Sequence, residues 1–350
     1  MTVRTFTSTV TEPADRGREL GELLADDVTR TVADYRRLFA ARATRPFDVD
    51  AWAERAWATI LEVAPEAAAE IVGIAEGARL PVREVAMLNA RTELLAVADP
   101  TGVVAECSSV VSLPRKAAPV AVQTWDWYDA MAGDWFVWSF RQPDGGQVRT
   151  VTEYGVLGKI GVSSRGVGVM FNMLRHEADA RAEEEGLGHP VHLLSRRILE
   201  EARDADNAIA IATSAPTSAS TSLTVVDEAG GAATVELSPD GPAVVRPADG
   251  VLVRTNHFVS EERSPGCLAA SIGPGSGIRR ATLLDAFAHQ RPSSADEVVG
   301  AMHDHAQVGG VCAHPDRSMD PLLWHATLAT VAIDVANRSL DVSAGGPCAR

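Results

Sequence analysis

The sequence predicts an α+β protein in which mostly antiparallel sheets are covered by helices. The first hundred residues show the three- and four-residue apolar spacing of amphipathic helices. From about residue 110, short segments rich in β-branched and aromatic residues follow one another, separated by Gly, Pro, Asn or Asp. Later helical stretches alternate with further strands, and this order is typical of a layered α+β domain.

Helices are expected before residue 105, where Ala, Glu, Arg and Leu dominate the patterned stretches. Pro65 and Pro81 stand where two of these helices begin, a position that suits proline because its φ is preset and its missing N–H is not needed there. The predicted helices span 16–39, 51–62, 66–77 and 82–96.

The rest of the chain is predicted to alternate between groups of strands and pairs of helices. A Pro-Asp-Gly-Gly run at 143–146 predicts a hairpin connection, since proline presets φ and glycine accepts positive φ. The predicted strands span 110–113, 120–125, 135–141, 148–153, 159–162, 167–172, 222–227, 233–237, 243–246, 250–255, 327–334 and 339–343. The predicted helices span 191–202, 205–214, 278–289 and 295–305.

Composition excludes several classes of protein. With 350 residues and 46% apolar content, the chain can bury a large core. A net charge of −15 argues against nucleic acid or an anionic membrane as the main partner. The charged first twenty residues lack a signal-peptide core, and no apolar run is long enough for a membrane span, so we expect a cytoplasmic protein. The four scattered cysteines suit reduced thiols better than a disulfide framework.

One cysteine has a context that suggests a nucleophile. Cys107 stands where the helical pattern gives way to strands, and Asp126 follows on the next predicted strand between two tryptophans. Because alternate strand residues face opposite ways, Trp125 and Trp127 are expected in the core while Asp126 points to the other face. A buried carboxylate there requires a partner such as an amine. A lone cysteine in a strand is more often an inert core residue, and its neighbours are what favour a reactive role.

Motifs along nearly the whole chain resemble those of the penicillin acyltransferase family, the acyl-coenzyme A:6-aminopenicillanate acyltransferases and their bacterial relatives among the N-terminal-nucleophile hydrolases. The motifs are RGRELG at 16–21, GIAEGA at 73–78, LNARTE at 88–93, CSS at 107–109, QTWDW at 123–127, TEYGVLGKIG at 152–161, GVGV at 166–169 with Asn172, TNHF at 255–258 and CAHPD at 312–316.

The resemblance implies a four-layer αββα sandwich and a precursor that cuts itself between Glu106 and Cys107. Residues 1–106 and 107–350 would then be two segments of one fold that stay associated after cleavage. The new α-amino group of Cys107 would serve as general base for its own thiol. The resemblance also implies that Asp126 orients that amine and that Asn172 and Asn256 stabilise the oxyanion. No cofactor is implied.

Other residues are weaker candidates for substrate binding. We expect Trp127, Glu153, His257 and Arg91 to contribute. Three of them also have a structural interpretation: Trp127 as a core residue, His257 as part of a strand-end turn, and Arg91 as the partner of Glu93 in an ion pair. Lys159 is interpreted as a structural charge. Ala313 stands where the family usually carries an arginine, so a substrate-binding cation is missing unless Arg317 or Arg279 replaces it.

The resemblance leaves the acyl donor and acceptor open. The expected substrate is a small-molecule amide, thioester or amine, with acyl-coenzyme A as a possible donor and water, a small peptide or a specialised metabolite as acceptor. An alternative is an unprocessed, catalytically weak binding or scaffold protein on the same fold. In the resembled family the residue before the cysteine is commonly glycine, and the Cβ of Glu106 restricts the backbone at the bond that must be cleaved.

A metal site is a third hypothesis. Five potential ligands lie within 23 positions near the C-terminus, namely His303, His305, Cys312, His314 and His325. Imidazole and thiolate are zinc ligands, but this spacing fits no zinc finger or metalloprotease pattern. The sequence therefore favours a protein without metal over a metal-dependent hydrolase.

Overall fold

The computed structural model describes residues 2–102, 107–306 and 308–350. Its α-helices are α1 Pro13–Leu23, α2 Ala25–Arg42, α3 Val49–Val63, α4 Pro65–Ala78, α5 Val82–Asn89, α6 Arg91–Ala98, α7 Ala182–Glu185, α8 Val191–Glu201, α9 Ala205–Thr213, α10 Ala269–Ile272, α11 Gly275–Phe287 and α12 Ala295–Ala301. None of the described helices combines the length and apolar character needed to cross a membrane.

The described strands form two sheets. They are β1 Thr5–Thr7, β2 Ser108–Ser112, β3 Val120–Tyr128, β4 Trp135–Arg141, β5 Gln147–Glu153, β6 Ile160–Ser163, β7 Val167–Met173, β8 Thr221–Asp227, β9 Ala232–Leu237, β10 Ala243–Val245, β11 Val251–Arg254, β12 His325–Asp334 and β13 Ser339–Ala344. The eight-stranded sheet has the order β1-β4-β5-β6-β7-β8-β9-β10, and the five-stranded sheet has the order β11-β2-β3-β12-β13. Neighbours pair antiparallel except β1 and β4, which run parallel.

The two sheets pack face to face between two layers of helices. A Cβ on Gly168 of β7 would lie 2.9 Å from Ile333 of β12, so this face of the large sheet meets the small sheet. A Cβ on Gly161 of β6 would lie 2.9 Å from Leu199 of α8, on the opposite face. Helices α8 and α9 cover that outer face, while α11 and α12 contact β11 and β3 of the small sheet. The predicted αββα sandwich is confirmed.

The N-terminal helices are joined to one another by very close backbone packing. A Cβ on Gly17 of α1 would lie 2.1 Å from the Glu70 carbonyl oxygen of α4, and one on Gly73 would lie 2.1 Å from the Ala14 carbonyl oxygen. Only glycine permits this approach. Beside it, Arg16 forms a buried ion pair with Glu70, with Nε 2.7 Å from Oε1. The glycine-containing motifs of this segment therefore have a structural explanation.

Two stretches that were predicted as single helices are each divided in two in the structure, and the short helices α7 and α10 were not predicted. The stretch predicted as one helix over 16–39 is interrupted at Leu24, whose φ of −122° separates α1 from α2. The stretch over 82–96 breaks at Ala90, between α5 and α6. There the Asn89 side chain accepts from the Leu157 amide (3.0 Å) and donates to the Gly155 carbonyl (2.8 Å). This tertiary anchoring outweighs the continuous helical periodicity.

One strand was not predicted at all. β1 is only three residues long and polar at both ends, so no alternation marks it in the sequence. It pairs with β4, Phe6 standing opposite Trp138. The first residues of the chain therefore form the edge of the large sheet.

Candidate active site

Cys107 is buried one residue before β2. Its side chain is 4% exposed, and Sγ lies 3.5 Å from the Asp126 carbonyl oxygen. The pairing of β2 with β3, with Ser108 opposite Thr124, brings these two strands side by side. Sheet pairing alone thus brings Cys107 and Asp126 together.

Two donors hold the carbonyl oxygen of Cys107. Asn172 on β7 donates from Nδ2 at 3.1 Å, and Arg279 on α11 donates from Nη1 at 2.9 Å. The Asn172 Oδ1 atom accepts a 2.6 Å hydrogen bond from the Ser109 hydroxyl, and this bond fixes which way the amide points. Cys107 is therefore held from the large sheet on one side and from the outer helical layer on the other.

Asn256 follows β11 and belongs to the same network. Its Oδ1 accepts from Arg279 Nη2 at 3.0 Å, and its Nδ2 donates to the Met173 carbonyl at 2.9 Å. Arg279 is fully buried and so bridges Cys107 and Asn256 through the two arms of its guanidinium. The structure thus brings the Cys107 carbonyl and the side chains of Asn172 and Asn256 together around an arginine that the sequence singled out only as a substitute cation.

The electrostatics of this site disfavour a thiolate in the intact chain. Burial, reinforced by the nearby Asp126 carboxylate, raises the pKa of the Cys107 thiol to about 12, while Lys159 and Arg279 act in the opposite direction. The thiol is therefore protonated at neutral pH. A base within reach of Sγ is required before it can act as a nucleophile.

A second buried cluster gathers most of the weaker candidates. Glu153 at the end of β5 accepts from Arg91 at 2.6 Å and from Lys159 at 2.9 Å. The Tyr35 hydroxyl also donates to Glu153 and accepts from Trp127 Nε1 at 2.9 Å. The Arg91 guanidinium lies 4.6 Å from the centre of the Trp127 ring. Arg91, Trp127 and Glu153 are thus parts of one polar cluster inside the fold.

Lys159 belongs to this cluster, and its charge also acts on the Cys107 thiol, whose pKa it lowers. Its Nζ lies 3.6 Å from the centre of the Trp125 ring. Burial lowers its pKa to about 7, although the neighbouring Glu153 favours the charged form. The effect of burial on Glu153 is outweighed by Arg91 and Lys159, so the pKa of Glu153 is lowered to about 2. The sequence around Lys159, a lysine after glycine in a predicted strand, did not predict that this side chain would be buried beside Glu153.

His257 and Arg317 do not belong to the cluster around Glu153. His257 accepts or donates a 2.8 Å bond at Ser276 Oγ, and burial with the nearby arginines lowers its pKa to about 4. The Arg317 guanidinium lies 5.8 Å from the centre of the Trp324 ring. Of the two cations proposed to replace the arginine missing at Ala313, Arg279 is thus the one that contacts Cys107. Glu106, the residue before the predicted cleavage point, lies outside the described residues.

Comparison with known proteins identifies the family. The model of the acyl-coenzyme A:6-aminopenicillanic acid acyl-transferase family matches residues 115–349. The chain belongs to this acyltransferase family. The match includes Asp126, Asn172, Asn256 and Arg279, whereas Cys107 lies before the matched span.

One curated relative of this acyltransferase family is similar over part of its length. It is the acyl-coenzyme A:6-aminopenicillanic-acid-acyltransferase 40 kDa form of Emericella nidulans, 32% identical over 191 residues. The alignment covers 54% of this chain and 50% of the relative, so the chain spans about half the length of the curated relative it matches.

Two solved structures are also similar. Penicillin V acylase from Agrobacterium tumefaciens has 14% identity and a TM-score of 0.46, with 68% of this chain and 83% of that chain covered. A mutant of the conjugated bile acid hydrolase from Clostridium perfringens has 11% identity and a TM-score of 0.42, with 68% of this chain and 92% of that chain covered.

Proposed function

We propose that this protein is an acyltransferase or amide hydrolase whose nucleophile is Cys107, made N-terminal by cleavage of the Glu106–Cys107 bond. The observation that carries the proposal is the convergence on one buried cysteine of Asn172 and Arg279, with Asn256 held by the same arginine. Both side chains donate to the main-chain carbonyl oxygen of Cys107, and burying an arginine and an asparagine around one cysteine costs desolvation that a merely structural cysteine does not require.

The cleavage step uses the thiol of Cys107 itself. Sulfur attacks the carbonyl carbon of residue 106, the C–N bond breaks, and the thiol proton goes to the departing nitrogen. Water then opens the thioester, leaving a carboxylate on residue 106 and restoring the thiol beside a new amine. The bonds from Asn172 and Arg279 to the Cys107 carbonyl support this step, because they restrict the residue that must attack.

The new amine supplies the base that the thiol lacks. An α-amino group has a reference pKa near ~8, so a useful fraction is neutral at physiological pH and can accept the proton from sulfur. This matters because the buried thiol, with a pKa of about 12 in the intact chain, does not ionise unaided. We assign Asp126 the role of orienting the amine, since its strand lies beside Cys107.

Acyl transfer then proceeds through a thioester on Cys107. The substrate carbonyl is attacked by sulfur, its leaving group takes the proton, and water or an amine releases the acyl group. We assign Asn172 and Asn256 to the oxyanion, because each described amide bond uses only one of the two Nδ2 hydrogens. Removing one such donor costs on the order of 10²–10³ in rate in other enzymes.

The proposed substrates are small-molecule amides, thioesters or amines, with acyl-coenzyme A as a proposed donor. Ala313 removes one cation from the loop where the family usually has an arginine, so substrate anions are proposed to meet Arg279. Arg91, Trp127, Glu153 and His257 are proposed to shape the pocket rather than to react.

The two fragments are proposed to remain associated. β1 supplies an edge strand beside β4, and the Arg91–Glu153 ion pair links the segments from inside the core. Both contacts join residues before 106 to residues after 107. Separation would expose this interior to water.

A covalent-intermediate assay tests the function. Incubation with a panel of acyl thioesters and amides, followed by acid quench and peptide mass analysis, is expected to show acyl groups on Cys107 in wild type and in Cys267→Ala. Cys107→Ala should show neither the adduct nor turnover. Equal turnover by Cys107→Ala would exclude the proposal, and no turnover by any variant would favour the alternative of an unprocessed binding protein.

A further inference from the structure

Four potential metal ligands converge near the C-terminus. They are His305, Cys312, His314 and Cys348, and one ligand atom from each lies within 4.8 Å of all the others. Among the described residues His303 and His325 are not members of this group. The expectation of no metal rested on chain spacing, which does not reveal Cys348, 34 residues beyond His314.

The distances match those of a tetrahedral zinc site. The two sulfurs are 3.5 Å apart, and His314 Nε2 lies 3.7 Å from Cys312 Sγ and 3.6 Å from Cys348 Sγ. Zinc with its usual bond lengths places two tetrahedral sulfurs about 3.8 Å apart and a sulfur and a nitrogen about 3.6 Å apart. A single ion can therefore reach these three ligands with little movement, and His305 stands within range as the fourth.

We propose that His305, Cys312, His314 and Cys348 bind one structural zinc ion. Two thiolates and two neutral imidazoles balance the charge of Zn²⁺, and four protein ligands close the coordination shell. A closed shell leaves no position for a catalytic water, so this proposal differs from that of a metal-dependent hydrolase. The thiols release their two protons when the metal binds.

The ion would fasten the C-terminus to a loop beside the active site. Cys348 lies in the last turn of the chain, and a Cβ on Gly346 would lie 2.4 Å from Cys312 Sγ, so the two segments are already in close contact. The Ala313 amide donates to Thr327 Oγ1 at 3.0 Å, and Thr327 stands opposite Asp126 in the sheet. The zinc would thus stabilise the start of β12, which pairs with β3 at Asp126.

A disulfide between Cys312 and Cys348 is the competing use of this pair. It would require neither histidine, whereas the zinc site requires both. The histidines therefore distinguish the two cases. His305→Gln and His314→Gln should weaken metal binding while leaving both thiols in place.

The test measures metal in the full-length, reduced, tag-free protein. After incubation with zinc and desalting, elemental analysis should find one zinc per chain in wild type, in Cys107→Ala and in the control Cys267→Ser. Cys312→Ser, Cys348→Ser and the two histidine variants should lose it. Cobalt in wild type should give the intense visible absorption of a tetrahedral thiolate site.

A measurement on wild type alone guards against variants that fail to fold. Removal of the metal by a chelator should lower Tm, and added zinc should restore it. Wild type that retains no zinc or cobalt, equal zinc in Cys348→Ser, or a Cys312–Cys348 disulfide that persists in reductant and zinc would each overturn the proposal. Because Cys107→Ala should still bind zinc, this result is independent of the proposed catalytic function.

Discussion

Arg279 donates a 2.9 Å hydrogen bond to the Cys107 carbonyl oxygen, across 172 residues of chain. Its other arm binds Asn256 Oδ1 at 3.0 Å. Lysine carries the same charge but lacks the planar fork that makes both bonds at once. The arginine therefore positions two groups of the proposed site relative to each other.

Arg279→Lys should lower both processing and turnover. Hydrogen bonds to a charged donor contribute about 1.5–3 kcal/mol each, so the loss of one predicts a decrease of about 10- to 100-fold in kcat/KM. Cleavage kinetics and turnover of the processed enzyme are the measurements. Arg280→Lys, its half-buried neighbour, is the matched control. Equal effects of both substitutions would argue against the positioning role.

Asn172→Asp should impair acyl transfer while preserving the shape of the side chain. The substitution removes both Nδ2 hydrogens, including the one that binds the Cys107 carbonyl. We expect kcat to fall by on the order of 10²–10³, as when an oxyanion donor is lost. Asn207→Asp, at the start of α9, controls for the added charge. Unchanged kcat in processed Asn172→Asp would remove this residue from the oxyanion site.

Glu153→Gln should destabilise the fold. Arg91 and Lys159 would be left as buried cations without their carboxylate, and breaking a buried pair costs about 3–5 kcal/mol. Urea unfolding measures the change. Glu54→Gln, which removes one carboxylate from a solvent-exposed ion pair, should change the free energy of unfolding by less than about 1 kcal/mol.

The pH dependence of stability should carry the signature of Glu153. Its pKa in the fold, about 2, lies below the ordinary 4.5, so the unfolded state binds more protons between these values. The stabilisation is present above pH 4.5 and is lost as the pH falls toward 2. Urea midpoints between pH 5 and pH 3 should decline less steeply in Glu153→Gln than in wild type. Parallel declines would contradict the assigned shift.

Gly17→Ala should separate α1 from α4. The added methyl would lie 2.1 Å from the Glu70 carbonyl oxygen, and both partners are rigid backbone. Overpacking of this kind costs about 1–3 kcal/mol or more. The control is Gly300→Ala in α12, where an added Cβ would meet nothing within 4 Å. This substitution should raise the free energy of unfolding by up to about 1 kcal/mol, because alanine favours the helix more than glycine does. Thermal unfolding compares the two, and equal Tm values would contradict the close packing.

Patterned elements could be predicted from the sequence, whereas elements that depend on tertiary contacts could not. β4 was predicted at its observed bounds because a run of aromatic and β-branched residues is flanked by Gly-Asp on one side and by Gln-Pro-Asp-Gly on the other. β1 was missed because only its pairing with β4 defines it. The break at Ala90 was missed because it depends on Asn89 reaching a loop more than sixty residues away.

The same distinction applies to the candidate sites. Cys107, Asp126, Asn172 and Asn256 were identified through their motifs, since local sequence carries a family pattern. Arg279 joins them only through the packing of α11 on the small sheet, and Cys348 joins the histidines only at the end of the chain. Spacing in sequence does not report such convergence.

Intact mass spectrometry of the purified full-length chain tests the central claim most directly. The account predicts fragments 1–106 and 107–350 from wild type and from Cys267→Ala, and a single uncut chain from Cys107→Ala. A wild-type chain that remains whole, or a Cys107→Ala chain cut at the same bond, would contradict it.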